Sequence, residues 1–202
     1  MALQNRVTPF GEIVALSGRG TMMGNRGILH DETRNIVRNW QVKRWIACVL
    51  LFRGRHREVM TPHRYTELFF LDEAAAFAAG HRPCRECRYA DYQHFLALWK
   101  QRHGSPATAD SIDLKLHADR LDGKKKRSYR ALATMLPDGT FVALDGSPWL
   151  LWEGRLHRWS DSGYTEARAR PNVRLDVLTP RSLVEVFAAG LRPAVHSTVR
   201  LS

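Results

Sequence analysis

Gly80-His81-Arg82-Pro83-Cys84-Arg85-Glu86-Cys87-Arg88 is the stretch on which the reading of this chain turns. Two thiols stand three residues apart, directly after a short helical pattern closed by glycine. A Cys-x-x-Cys turn brings both sulfurs to one metal ion, and soft thiolates favour Zn2+. Such a site is tetrahedral and asks for two further ligands. Cys48 and His63 are the choices, with His56 and His81 as substitutes. Cys48 has a second reading, as a small apolar residue inside a strand. Each histidine has one too, as a surface or hydrogen-bonded residue. For the cysteine pair the rivals are a metal-free turn whose thiols merely pack and a thioredoxin-like redox pair. The redox motif opens a helix from a strand, whereas this one follows a helix.

Around the motif the local signals are clear. Tyr65–Leu71 reads as a strand. Asp72 then caps a helix over Glu73–Ala79, with Gly80 as its C′ residue and Pro83 just beyond. Arg88–His103 is a second helix, with Tyr89, Tyr92, Phe95, Leu96 and Trp99 on one face. Upstream, 36–42 and 45–52 are apolar or alternating, and read as a hairpin turning near Lys43-Arg44. Residues 6–30 are Gly- and Arg-rich and read as turns with positive φ, forming a weak phosphate nest at most.

Downstream, a third helix spans 110–121 and is closed by Gly123. Short strands follow at Thr140–Leu144, Trp149–Trp152, Leu156–Trp159 and Val173–Leu178. Thr179 caps a last helix with Pro180 at its first position and Gly190 at its end. The elements make an α+β fold in two parts packed as one body. Residues 1–104 form a β-hairpin and helix unit with the Cys-x-x-Cys turn. Residues 105–202 form a basic helix-loop and a small antiparallel β-meander flanked by helices. Ala78-Ala79-Gly80-His81-Arg82-Pro83 is echoed by Ala188-Ala189-Gly190-Leu191-Arg192-Pro193, without a second cysteine pair.

Composition bounds the function. The chain has 202 residues, 44% hydrophobic, which suffices for a core. Lysine and arginine number 31 against 20 acidic residues, a net charge of +11 that favours a polyanionic partner. Arginine dominates, which suits bidentate phosphate contacts, though a GC-rich genome inflates arginine as well. No leader-like apolar segment opens the chain and no apolar run is long enough for a membrane span, so a reducing cytoplasm is the expected compartment.

Three basic groups are candidates for nucleic-acid contact: Arg19 and Arg26 in the Gly-Arg segment, Arg55 and Arg57 around Gly54, and Lys124, Lys125, Lys126, Arg127 and Arg130. The segment 115–130 holds seven cations against two carboxylates. Spread patches of this kind fit a backbone footprint better than base readout, and the partner expected is nucleic acid, DNA before RNA. A solvated charged loop is the plain alternative. The tryptophans read as core residues before stacking platforms.

The segment from Leu68 to Cys87, above all Ala78-Ala79-Gly80-His81-Arg82-Pro83-Cys84-Arg85-Glu86-Cys87, resembles the second half of the Ada-type metal-binding domain of bacterial alkylation-repair proteins. The match covers about a tenth of the chain. It implies a four-thiolate zinc site beside DNA, with one thiolate able to accept a methyl group. The family's upstream cysteine pair is absent here, and only Cys48 stands in its place.

An enzymatic reading is open beside the binding one. Asp113 and His117 lie four apart on the third helix and share a face. Asp145, in a strand-end turn, is another acid/base candidate, as are His30 and Asp31. Pro83-Cys84-x-x-Cys87 also matches the second half of a zinc-deaminase signature, and His56-Arg57-Glu58 supplies an upstream His-x-Glu. In that case Glu58 would shuttle protons to a zinc-activated water in a base deaminase, a glycosylase or a nuclease.

Overall fold

The computed structural model describes residues 2–54 and 58–200. Over these described residues the fold is α+β, with two six-stranded sheets, a two-stranded hairpin and four α-helices. The first sheet takes β1 (Gln4–Val7), β2 (Ile13–Ala15), β3 (Met22–Asn25), β4 (Ile46–Cys48), β5 (Leu68–Phe70) and β6 (Arg82–Pro83). Its order is β2-β1-β5-β3-β4-β6, with parallel pairs β1/β5 and β4/β6. Helix α1 (Glu73–Ala78) follows β5, and α2 (Tyr89–His103) follows the cysteine turn.

Next come α3 (Ala109–Arg120) and the small hairpin of β7 (Leu121–Asp122) and β8 (Lys125–Lys126). The second sheet is antiparallel throughout, in the order β13-β12-β11-β10-β14-β9. It holds β9 (Tyr129–Leu132), β10 (Phe141–Leu144), β11 (Ser147–Trp152), β12 (Arg155–Ser160), β13 (Gly163–Ala169) and β14 (Arg174–Val177). Helix α4 (Arg181–Ala188) follows, and a short 3-10 turn spans Ser197–Arg200.

The sequence expectations fail where burial overrides local pattern. No hairpin forms over 36–42 and 45–52. Val37 and Val42 are exposed, and the segment is an irregular strap whose amides at Val37, Gln41 and Val42 donate to Leu29 O and Arg26 O. Only Ile46–Cys48 is strand, and it pairs with β3 and β6. The Gly-Arg segment is not merely turns, since it supplies β2 and β3. Gly24 is there for close approach: a Cβ would sit 2.3 Å from Ile46 O on the neighbouring strand. Gly18 would likewise collide with Asp161 O at 2.0 Å, and its amide donates to the Asp161 carboxylate, tying the first sheet to the β12–β13 turn.

Helix α1 forms as expected. Asp72 accepts from Ala75 N at 2.8 Å, and Gly80 leaves the helix at φ +91°. Every residue of α1 is buried, because the helix packs on β3 and β5 of one sheet and on β10 of the other. One hydrophobic cluster therefore contains Leu68 and Phe70 together with Phe141, Leu150 and Tyr164.

Asp72 also accepts from Tyr164 Oη at 2.7 Å and His196 N at 2.9 Å, so the cap is a junction of three distant segments. A second cluster joins Tyr92, Phe95 and Trp99 of α2 to Ile112 and Leu116 of α3 and to α4. Tyr89, expected on this inner face, is exposed. At α4 the capping role passes from Thr179, whose hydroxyl accepts from Phe141 N, to Asp119, whose carboxylate accepts from Ser182 N.

Candidate metal centre and basic cleft

The parallel β4/β6 pair creates the cysteine cluster. Its register sets Ile46 beside Arg82 and Ala47 beside Pro83, so the next residues outward are Cys48 and Cys84. Cys84 N donates to Ala47 O at 2.9 Å and fixes the turn that follows. The turn brings Cys87 back, and the sulfurs of Cys48, Cys84 and Cys87 all lie within 4.8 Å of one another. Ligand sulfurs of a tetrahedral zinc site stand about 3.8 Å apart, so only a small contraction separates the two arrangements.

The surroundings suit thiolates. The amides of Glu86 and Cys87 point at the Cys84 sulfur, and that of Val49 at Cys87. Cys84 is lowered to about 5, chiefly by the hydrogen bond from Cys48, and Cys87 is lowered for the same reason. Cys48 is pushed up, because its proton is held by the other two sulfurs and the site is buried. Three sulfurs thus share negative charge around one point, the arrangement that a divalent soft cation neutralises. Cys48 is a member of the cluster and not simply a small core residue.

Among the described residues no histidine or carboxylate joins the three sulfurs. His63 is exposed, at φ +62°, with its ring 3.5 Å from Glu32. His81 is fully buried elsewhere, accepting from Arg26 Nε at 3.3 Å and packed on Phe70 and Trp45. His56 lies outside the described residues, as do Arg55 and Arg57. The sulfurs stand in the wall of a cleft of ≈ 370 Å³, lined also by Met23, Phe69, Glu67 and Glu86 and rimmed by the exposed Leu50 and Leu51.

The acid/base candidates do not converge on the cluster. Both oxygens of Asp113 accept from Arg82, at 2.9 and 2.7 Å. Burial raises the Asp113 carboxyl while Arg82 opposes the rise. His117 meets Arg120 Nη2 at 3.1 Å and the Trp40 ring. Asp145 is an exposed turn residue at φ +52° paired with Arg168, and Glu58 is exposed and paired with Arg34. His30 is buried against Thr66 and Thr61, and Asp31 accepts from Thr33 N and Asn35 N in a local turn.

The basic candidates divide. Arg19, Lys124, Lys125, Arg127 and Arg130 are exposed, with Arg127 facing Asp122 and Arg130 donating to Arg174 O. Arg26 is buried, its guanidinium 4.0 Å from the centre of the Trp45 ring. Arg120 lies 3.8 Å from the same ring, so Trp45 is a core residue between two cations. Lys126 turns inward and donates to Ala78 O. Burial lowers Arg26 and Arg120 to about 9 and Lys126 to about 7; Arg120 adds to the fall at Arg26, both arginines add to it at Lys126, and at Arg120 Asp113 opposes it while Arg82 adds to it. The sequence reads Arg26 and Lys126 as surface contacts and does not reveal their inward turn, because lysine and arginine ordinarily mark solvated loops.

No family model, no curated protein and no solved structure matches the chain. Among the described residues no helix is long and apolar enough to cross a membrane.

Proposed function

We propose that this chain is a zinc-stabilised nucleic-acid-binding protein that acts in DNA repair or DNA processing. The observation that carries the proposal is the convergence of Cys48, Cys84 and Cys87 within 4.8 Å, from segments 36 residues apart. Thiolates in this number select zinc over harder ions. The net charge of +11 and the exposed cations on the β7–β8 hairpin supply the attraction for a phosphate backbone. Residues 68–87 resemble an Ada-type half-site by sequence, and in this reading Cys48 supplies the third sulfur.

Metal analysis tests the centre. The purified chain is expected to hold about one equivalent of zinc. Cys84→Ser/Cys87→Ser and Cys48→Ser should each lose most of it. Zinc far below one equivalent, unchanged by these substitutions, overturns the metal reading. A gel shift with mixed nucleic acids tests the partner, and affinity should fall steeply with added salt. No shift, or one indifferent to salt, overturns the nucleic-acid reading.

A second reading has its own observation: three protein sulfurs with one side facing a cleft. Sites with three protein ligands are typically catalytic, and the metal, when bound, would contribute Lewis acidity. In a nucleic-acid-processing hydrolase the cleft would seat a base. Glu67, held by the amide of Met60 at 2.8 Å, would then be the carboxylate placed to move a proton. A cobalt-loaded protein distinguishes the two readings. Absorption bands that shift on adding a small thiol mark an exchangeable position, and unresponsive bands mark a closed structural site.

A further inference from the structure

We infer that the cleft between the β1–β2 turn and the β7–β8 hairpin is a binding pocket for a phosphate group. It has a volume of ≈ 410 Å³ and is lined by Gly11, Arg26, Trp40, Trp45, Arg120 and Lys126. Lys124 and Lys125 stand at its rim. The pocket is separate from the cysteine cluster, and it does not rest on a metal being bound there.

Three cations meet in this cleft, and among the described residues no carboxylate is hydrogen-bonded or ion-paired to any of them. Arg26 donates to Gly11 O at 2.9 Å, to Asn39 O and to His81, and its Nη2 is buried without a partner. Arg120 donates to Gly80 O and Lys43 O and meets His117, and its Nε is likewise buried and unpartnered. Lys126 has a single carbonyl, Ala78 O.

The acidic residue that acts on Arg120, Asp113, gives both oxygens to Arg82. Glu12 at the mouth is exposed and turned to Thr8. Buried charge without a counter-charge is costly, and a buried donor without an acceptor adds to that cost. The fold tolerates both at one place, which is the signature of a site awaiting an anion.

The geometry gives the anion an address. A Cβ on Gly11 would lie 3.9 Å from Arg26 Nη2 and 4.0 Å from Lys126 Cδ, so the orphan donor and the lysine stem converge beside Gly11. Gly11 has φ +85° and presents no side chain between them. The guanidinium carbons of Arg26 and Arg120 lie over the Trp45 ring, 4.0 and 3.8 Å from its centre, a contact that favours their present positions. Two arginines and a lysine match a doubly charged phosphomonoester better than a singly charged diester. Trp40 at the mouth offers a surface for the group the phosphate carries. The ligand is therefore a nucleotide or the phosphorylated end of a nucleic acid.

Thermal unfolding and calorimetry of the full chain test the pocket, with inorganic phosphate as the probe and chloride at equal ionic strength as the control. Phosphate should raise the melting temperature and give saturable binding. Lys126→Met keeps much of the stem and removes a charge. It should melt higher than the wild type without phosphate, and its phosphate affinity should fall roughly tenfold or more.

A phosphate response no larger than chloride's overturns the pocket, as does an equal response in Lys126→Met. Oligonucleotides with and without a 5′-phosphate then name the source. Preference for the phosphorylated end identifies a terminal phosphate, and equal binding, weakened alike by Lys126→Met, identifies the backbone. If phosphate fails while the salt-dependent gel shift persists, the pocket falls and the nucleic-acid reading stands.

Discussion

Asp113→Ala should be among the most destabilising single changes in the protein, and by an amount the structure specifies. Asp113 joins α3 to Arg82, two residues before Cys84, through a pair of hydrogen bonds between side chains only 4% and 2% exposed. Truncating the aspartate leaves Arg82 charged and sealed in, which costs about 3–5 kcal/mol for a buried pair. It also removes the carboxylate whose field supports Arg120. For a chain of this length, each kcal/mol moves the midpoint by about 2–4 °C. The expected fall is therefore about 6–20 °C.

Urea and thermal unfolding, followed by tryptophan fluorescence, read this directly. Arg82→Met/Asp113→Leu should recover most of the loss, since it removes both charges and keeps apolar volume. A single-variant cost below about 1 kcal/mol, as for a surface pair, would refute the reasoning. So would a double variant no more stable than the single one.

Three further substitutions test close packing and the Asp72 junction. Gly80→Ala places a Cβ 2.6 Å from Arg120 Cδ at φ +91°, so it should cost about 2–5 kcal/mol in urea titration. Its echo partner Gly190 has φ +114° but open space around it, and Gly190→Ala should cost clearly less. Equal costs would show that the close approach of Arg120 is unimportant. Tyr164→Phe deletes the hydroxyl that donates to Asp72 and should cost about 1.5–3 kcal/mol. An unchanged melting point would remove Asp72 from its place as a junction.

Local chemistry made part of this molecule readable. Helix α1 announces itself with an aspartate cap, an alanine run and a glycine at positive φ, all within nine residues. The meander strands β10 to β12 are separated by plain turn signals. Long-range pairing was hidden. β3 reads as Met-Met-Gly-Asn, and nothing local says that its glycine exists to admit the backbone of β4. β13 lies at a sheet edge, where Thr165 to Ala169 are exposed or half-exposed and the alternation fades.

The site followed the same division. Cys84 and Cys87 declare themselves by spacing. Cys48 could be named only as a residue type, since its place depends on the parallel β4/β6 register, and His63 drew attention by type but faces solvent. The inward turn of Arg26 and Lys126 leaves no trace in a pattern that equates charge with surface.

The interior of α1 has a consequence for how this protein can change over time. Ala74, Ala75, Ala76 and Ala78 have no measurable solvent exposure, and sheets crowd them from two sides. Each added methylene there would strain its neighbours, at about 1–3 kcal/mol. Volume alone therefore freezes these positions, a few residues before two of the cysteines whose sulfurs converge. Descendants of this gene would keep both with equal tenacity, and an evolutionary profile that weighed invariance alone would mistake a wedge of methyl groups for part of the machinery.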